Sequence, residues 1–321
     1  MKQFYWEKKG HIFNVSGEFG WMNTHAQIPT VLDMGDYLRI FFSTRFENNQ
    51  SKIACLDVST KNPKNILNLS ESEVIENGKI GTFDEHGVMP SGVVLQSDKS
   101  IFLYYSGWSR RTSVPYSNLA GVVVADKSNA RAFKRIGHGP ILSLNLQEGF
   151  SATSPYVFVE DGLYYAYYCS GTGWHYVDEK YEHVYNIKMA TSVDGIEWEQ
   201  IGKVCIEQRD PMEAITRPTV IELDGIYHMW FCYRNSKDFR DGEGSYRIGY
   251  AFSQDKFNWT RSDELSGIDV GTDGWENKMM AYPYVIKTSL GETLMFYNGN
   301  GFGKTGFGYA ILRDSGTDPI T

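Results

Sequence analysis

The sequence predicts an all-β fold: a five-bladed β-propeller with four antiparallel strands per blade and the ring closed by the N-terminal strand. A short proline-centred pattern recurs five times. Each recurrence reads as a hairpin followed by further strands, and no helical periodicity separates one from the next. The repeats are IPTVLDMGDYLRIFFS from Ile28, MPSGVVLQSDKSIFLYYSG from Met89, SPYVFVEDGLYYAYYCSG from Ser154, RPTVIELDGIYHMWFCYR from Arg217 and YPYVIKTSLGETLMFYNG from Tyr282. Their prolines, Pro29, Pro90, Pro155, Pro218 and Pro283, lie 61, 65, 63 and 65 residues apart.

Within each unit, an apolar strand after the proline meets a turn (MGD, SDK, EDG, LDG, SLG) and then a strand of alternating aromatic and aliphatic residues, the signature of a β-hairpin. A proline at the first residue of a strand costs no ladder hydrogen bond, so sheets tolerate all five. Third strands follow as SKIACLDVS, NLAGVVVADKS, YNIKMATSVDG, YRIGYAFSQD and GFGYAILRD. Fourth strands are clearest in FKRIGHGPIL from Phe133 and WEQIGKVCI from Trp198. The fifth unit shows only three, but WEKKGHIF from Trp6 matches WEQIGKVC in form, so the N-terminal segment is expected to supply its outer strand. Such closure removes an exposed sheet edge. SVDGIEW and SQDKFNW resemble Asp-boxes, hairpin turns tied down by a Ser and an Asp. One domain over 1–321 results, with blades near 21–75, 81–142, 148–207, 211–265 and 274–314 plus 4–14.

Composition agrees. Tyr 21, Phe 18, Trp 8 and Gly 32 suit short strands and tight turns. A net charge of -8 argues against a nucleic-acid or anionic-membrane surface, either of which needs a basic field. No apolar run approaches the roughly 20 residues of a membrane span, and the first residues lack a secretory h-region, so the expected location is the cytoplasm. Cys55, Cys169, Cys205 and Cys232 lack CxxC spacing and read as buried thiols.

In a propeller the innermost strands line a central channel, so the segments just before each proline converge on one funnel: NTHAQI, FDEHGVM, FSATS, MEAITR and NKMMAY. The loops between second and third strands rim the same mouth: TRFENNQ, WSRRTSVPYSN, TGWHYVDEKYEHVYN, RNSKDFRDGEGS and NGNGFGKTG.

Such blades, with hairpins DGLYYAYYCSG and DGIYHMWFCYR and SxDGxxW turns, resemble the superfamily holding glycoside hydrolase families 32, 43, 62, 117 and 130. FDEHGVMP, LYYSGW, ITRPTV, YRIGYAFS and NGNGFGKTGFG resemble an uncharacterised glycosidase-like branch. The resemblance implies a carbohydrate-active propeller. It does not carry over a catalytic set, because the three places where family 43 holds two aspartates and a glutamate are Ile28, Ser154 and Thr216, and Thr24 stands where family 32 has an aspartate.

The funnel carboxyls that remain are Asp84, Glu85 and Glu213, with Glu276 or Asp273 as further candidates. Glycoside hydrolysis requires two carboxyls across the bond, so Asp84 or Glu85 is expected to pair with Glu213, Glu213 being the acid. Arg45, Arg110, Arg217, Arg234 and Arg247 converge on the mouth, where planar guanidinium forks suit an anionic sugar or a sugar phosphate. Trp108, Trp174, Tyr176, Tyr185 and Tyr282 are candidates for stacking on a sugar, and His86, Asn118, Asn298 and Asn300 for polar contact. His25 and His86 both precede a repeat proline by four residues, but with no third ligand no metal is expected, nor any cofactor. The expectation is a glycoside hydrolase or phosphorylase-like enzyme with a small carbohydrate as partner. The alternatives are a non-catalytic carbohydrate-binding propeller and a glycosyltransferase-type enzyme using an activated sugar.

Overall fold

A computed structural model describes residues 4–240, 242–272 and 274–313, and its elements are almost all strands. The chain opens with β1 (Tyr5–Phe13). Then come β2 (Thr24–Asp33), β3 (Tyr37–Arg45), β4 (Ser51–Ser59) and β5 (Ile66–Leu69), paired in order as an antiparallel meander. The next meander is β6 (Gly87–Leu95), β7 (Ser100–Arg110), β8 (Tyr116–Asp126) and β9 (Lys134–Arg135). It is followed by β10 (Ala152–Glu160), β11 (Leu163–Val177), β12 (Lys180–Ser192) and β13 (Glu199–Ile206). Another contains β14 (Glu213–Leu223), β15 (Ile226–Asn235), β16 (Arg247–Ser253) and β17 (Thr260–Arg261). The last strands are β18 (Ala281–Lys287), β19 (Thr293–Asn298) and β20 (Phe307–Arg313).

Each hairpin read from the sequence forms. The outer strand after β8 is shorter than FKRIGHGPIL suggests. Only Lys134 and Arg135 pair, because Gly137, Gly139 and Pro140 follow, and Leu142 returns as a single bridge to Ala120.

β1 pairs antiparallel with β20, from Tyr5 opposite Arg313 to Phe13 opposite Phe307. Trp6 is buried edge-on against Trp230, 5.3 Å between ring centroids, and its backbone N–H donates to the Gly267 carbonyl. The N-terminal strand thus bridges the last meander and the one before it. A continuous core that includes Phe41, Phe42, Tyr105, Tyr167, Phe231 and Phe296 links the sheets, each such ring contributing roughly 1.5–3 kcal/mol by leaving water.

The repeat prolines sit at irregular points of the ladders. Register slips between Gln27 and Thr30, Pro90 and Gly92, Thr153 and Tyr156, Thr216 and Thr219, and Ala281 and Tyr284. In four of the five, the residue before the proline is left-handed: Ile28 (φ 59), Ser154 (φ 52), Arg217 (φ 59) and Tyr282 (φ 56). Non-glycine residues adopt this conformation at a cost of order 1–3 kcal/mol, and a bulge re-aims the side chain it carries. These four side chains are therefore placed by strain the surrounding sheet sustains.

Both Asp-box turns are structural. Asp194 accepts from the backbone N–H of Ile196 and Glu197, which hold its carboxyl below the usual range, and Trp198 Nε1 donates to the Gly195 carbonyl. Asp255, Phe257, Asn258 and Trp259 repeat the arrangement. All four cysteines are buried and free, and no described helix is long and apolar enough to cross a membrane.

Candidate functional site

The strained residue of β14 reaches furthest. Arg217, 1% exposed, donates to the carbonyl of Ser91, to Thr30 Oγ1 (2.5 Å) and to the carbonyl of Pro29 (3.4 Å), with its guanidinium 5.7 Å from the Tyr284 ring. Those partners belong to β6, β2 and β18, so one side chain joins four meanders. Burial pushes its pKa down to about 10. The sequence pattern puts Arg217 against substrate; the structure encloses it instead and spends it on backbone carbonyls.

Around the strained Tyr282 lies a different environment. Arg45, partly buried at the end of β3, donates from Nε to Gln27 Oε1 (3.1 Å). Burial lowers its pKa. His25 stands beside it, and burial, together with the Arg45 and Lys304 charges, pushes the imidazole down to about 4. Tyr282 leans on Tyr246 at 5.5 Å, and the Tyr246 and Tyr185 hydroxyls meet at 3.0 Å. Arg234, 4% exposed, lies 6.0 Å from both of those rings and 3.8 Å over Phe239, and donates to the His183 carbonyl (2.8 Å) and Ser236 Oγ (3.2 Å). Among the described residues neither Arg45 nor Arg234 has a carboxylate at ion-pair distance. A charge removed from water without a counter-charge is costly, and the hydrogen-bond partners of these two cations are neutral groups: Gln27 for Arg45, and Ser236 and the His183 carbonyl for Arg234.

The wall continues along β12 and β11. His183 stacks face to face on Trp174, 4.2 Å apart and 4° from parallel, and Tyr116 meets both edge-on. Burial and Arg234 push His183 down to about 3, so it is neutral. Tyr185 stands 5.2 Å from it. The structure thus gathers Arg45, Trp174, Tyr185, Arg234 and Tyr282 from the sequence candidates, with His25 beside them, and adds His183 and Tyr246.

Other candidates lie in separate settings. Trp108 donates to Ser51 Oγ (2.7 Å) and stacks with His86 at 5.8 Å. Arg110 donates to the Asn48 carbonyl (2.6 Å). Arg247 donates to the Tyr246 and Lys278 carbonyls and lines, with Arg209, Tyr233 and Asp263, a cleft of about 670 Å³. Asn298 is fully buried, bonding the backbone at Ala26, Ile28 and Gly306, and Asn300 holds Lys278 and Met279. Both asparagines position loops.

The carboxylates follow one plan. Asp84 accepts from Arg135 (2.7 Å), Tyr105 (2.9 Å) and Thr82 (2.9 Å). Glu148 takes Lys188 (3.0 Å), Tyr168 (2.8 Å) and Ser170. Glu213 is held by both arms of the Arg261 guanidinium (2.7 and 2.9 Å) and by the Arg209 backbone N–H (2.8 Å). Glu276 pairs with Lys8 on β1 (3.2 Å). In four meanders, an acid ahead of the repeat proline is anchored by a base from a later or outer strand of its own sheet. Glu85 differs: it is partly exposed, accepts from the Gly81 N–H (2.8 Å) and lies 3.4 Å from His86 Nδ1. Glu213 therefore spends its carboxylate on Arg261 and Arg209, and Asp84 and Glu85 on partners of their own meander, so neither of these two is hydrogen-bonded to Glu213. Asp273 falls outside the described residues. The anchoring bases escape a reading of the sequence because Arg135 and Arg261 sit on outer strands, away from the segments that the repeat sends to the mouth.

No family model matches the chain. Two Mycobacterium tuberculosis proteins, MT1551 of strain CDC 1551 and Rv1502 of strain H37Rv, are 35% identical to it over 311 residues, covering 96% of this chain and 99% of theirs. Among solved structures, a BT0996 RGII complex superimposes with a TM-score of 0.71 at 16% identity, covering 98% of this chain and 95% of that one. A glycosyl hydrolase from Bacteroides ovatus gives 0.69 at 14% identity (94% and 88%), and a thermostable family-43 glycoside hydrolase 0.66 at 16% (90% and 88%). At these identities the likeness is one of fold: the chain has the β-propeller architecture of glycoside hydrolases.

Proposed function

The chain belongs to the family of the mycobacterial proteins MT1551 and Rv1502, and on that premise we propose that it is a carbohydrate-active protein that takes an anionic sugar or sugar phosphate into an axial well. In this reading the meanders are the five blades of one ring over 1–321, β1 closes the fifth, and the strained pre-proline residues surround the axis. The observation that carries it is the pair Arg45 and Arg234, cations flanked by Tyr185, Tyr246 and Tyr282 and without an acidic partner among the described residues. Guanidinium forks match carboxylate and phosphate, and tyrosine rings suit the C–H face of a sugar.

Titration calorimetry with glucuronic acid, glucose 1-phosphate and glucose tests this. The two acidic sugars bind, more weakly as salt rises, and glucose does not; equal affinity for all three overturns the anionic reading.

Cleavage or transfer of a glycosyl group is the activity we assign, with Asp84, Glu85 and Glu213 as its acid–base groups. Glu85 supports this by its open flank beside His86. The anchoring of Asp84 to Arg135 and of Glu213 to Arg261 favours a second reading, a propeller that binds sugar without cleaving it. Glu85→Gln and Glu213→Gln separate the two. Loss of turnover on acidic glycosides with binding kept supports the enzyme, whereas a protein that binds and never turns over supports the second reading.

A further inference from the structure

β11 and β12 are the longest of the described strands, 15 and 13 residues, and their ladder continues past the sheet to Val177 opposite Lys180. The turn between them uses two left-handed residues, Asp178 (φ 46) and Glu179 (φ 63), which matches the twist of a tight hairpin. Side chains alternate across strands, so Tyr181, His183 and Tyr185 share one face of β12, joined by their cross-strand partners Tyr176 and Trp174. Ring contacts line that face in two groups: Tyr185 to His183 at 5.2 Å and His183 on Trp174 at 4.2 Å, then Tyr176 to Tyr181 at 5.1 Å. At the inner end Tyr185 bonds Tyr246 beside Arg234; at the outer end Tyr176 and Tyr181 are 65% and 43% exposed. On the opposite face Glu182 is buried and paired with Arg240 (2.7 Å), which fixes the direction in which the aromatic face looks.

On this face His183 Nδ1 is buried without a hydrogen bond among the described residues. Buried polar groups are nearly always satisfied, and the hydroxyls of a bound sugar offer both donors and acceptors. From Tyr181 to Tyr185 is four residues of strand, about 13 Å at the usual rise, longer than one sugar ring.

Building on the anionic sugar in the well, we propose that the ligand is an acidic oligosaccharide, its first unit at Arg45 and Arg234 and its further units laid along the Tyr185–His183–Trp174–Tyr176/Tyr181 face of the projecting hairpin.

The experiment is calorimetry with galacturonic acid and its dimer, trimer and tetramer, on the full chain and on the double variant Tyr176→Ser, Tyr181→Ser. Both substituted side chains are exposed, so the variant keeps its melting temperature. Affinity should rise about tenfold or more from monomer to trimer, and the double variant should lose most of that rise while binding the monomer as before. Monomer binding with no gain on lengthening, or a gain that survives the double substitution, overturns the extended site and leaves the well standing. Failure of every member of the series to bind overturns both.

Discussion

The Arg45 charge acts on His25, and the chemistry of the two is measurable. Replacing Arg45 by Gln removes a partly buried cation that has no acidic partner among the described residues, so affinity for an acidic sugar falls at least tenfold while thermal stability is unchanged or rises. His25 gives a pH signature. Its folded pKa, about 4, lies below the ordinary imidazole value near 6.5, so between these values the unfolded chain binds the proton more readily. The stability it contributes is complete above about pH 6.5 and is lost as pH falls towards 4. A series of melting curves across that range shows the slope in the parent protein and a smaller one in His25→Asn. A bound anion next to Arg45 offsets the repulsion and flattens the parent curve.

At the scale of elements, the anchored carboxylates are the main departure from what the sequence suggests. Glu213 and Glu85 stand at the same distance from their prolines, two units apart, and that spacing is real. The partner of Glu213 is invisible in the sequence, because Arg261 arrives 48 residues later on an outer strand and nothing local announces the contact. Removing one member of a buried ion pair strands the other, so Glu213→Gln should cost about 3–5 kcal/mol of unfolding free energy, read from denaturant titration. The hairpins and Asp-boxes are legible for the opposite reason. Their signals, a turn flanked by alternating strands or an Asp two residues after a Ser, are completed within about a dozen positions. His183 goes unrecognised because only the register of β11 on β12 puts it on the same face as Trp174.

Across the whole molecule, periodicity carries more than any single motif: five prolines at near-constant spacing mark the strands and, in four of the five, the left-handed residue that precedes the proline. The match of WEKKGHIF to an outer strand anticipates the pairing of β1 with β20. Deleting residues 1–14 exposes the edge of β20 and uncovers Trp230, and a fall in melting temperature of roughly 10 °C or more is expected by scanning calorimetry. An unchanged temperature would show that the terminal strand is dispensable.

Arg217 has a consequence for traffic. With the meanders arranged as proposed, a guanidinium wedged among the carbonyls of Pro29 and Ser91 and the Tyr284 ring stoppers the middle of the ring, so solute has no passage from one side to the other. Whatever is admitted past Tyr282 must back out the way it came. Departure is then gated by the same mouth as arrival, and a long glycan can dock only by one of its ends.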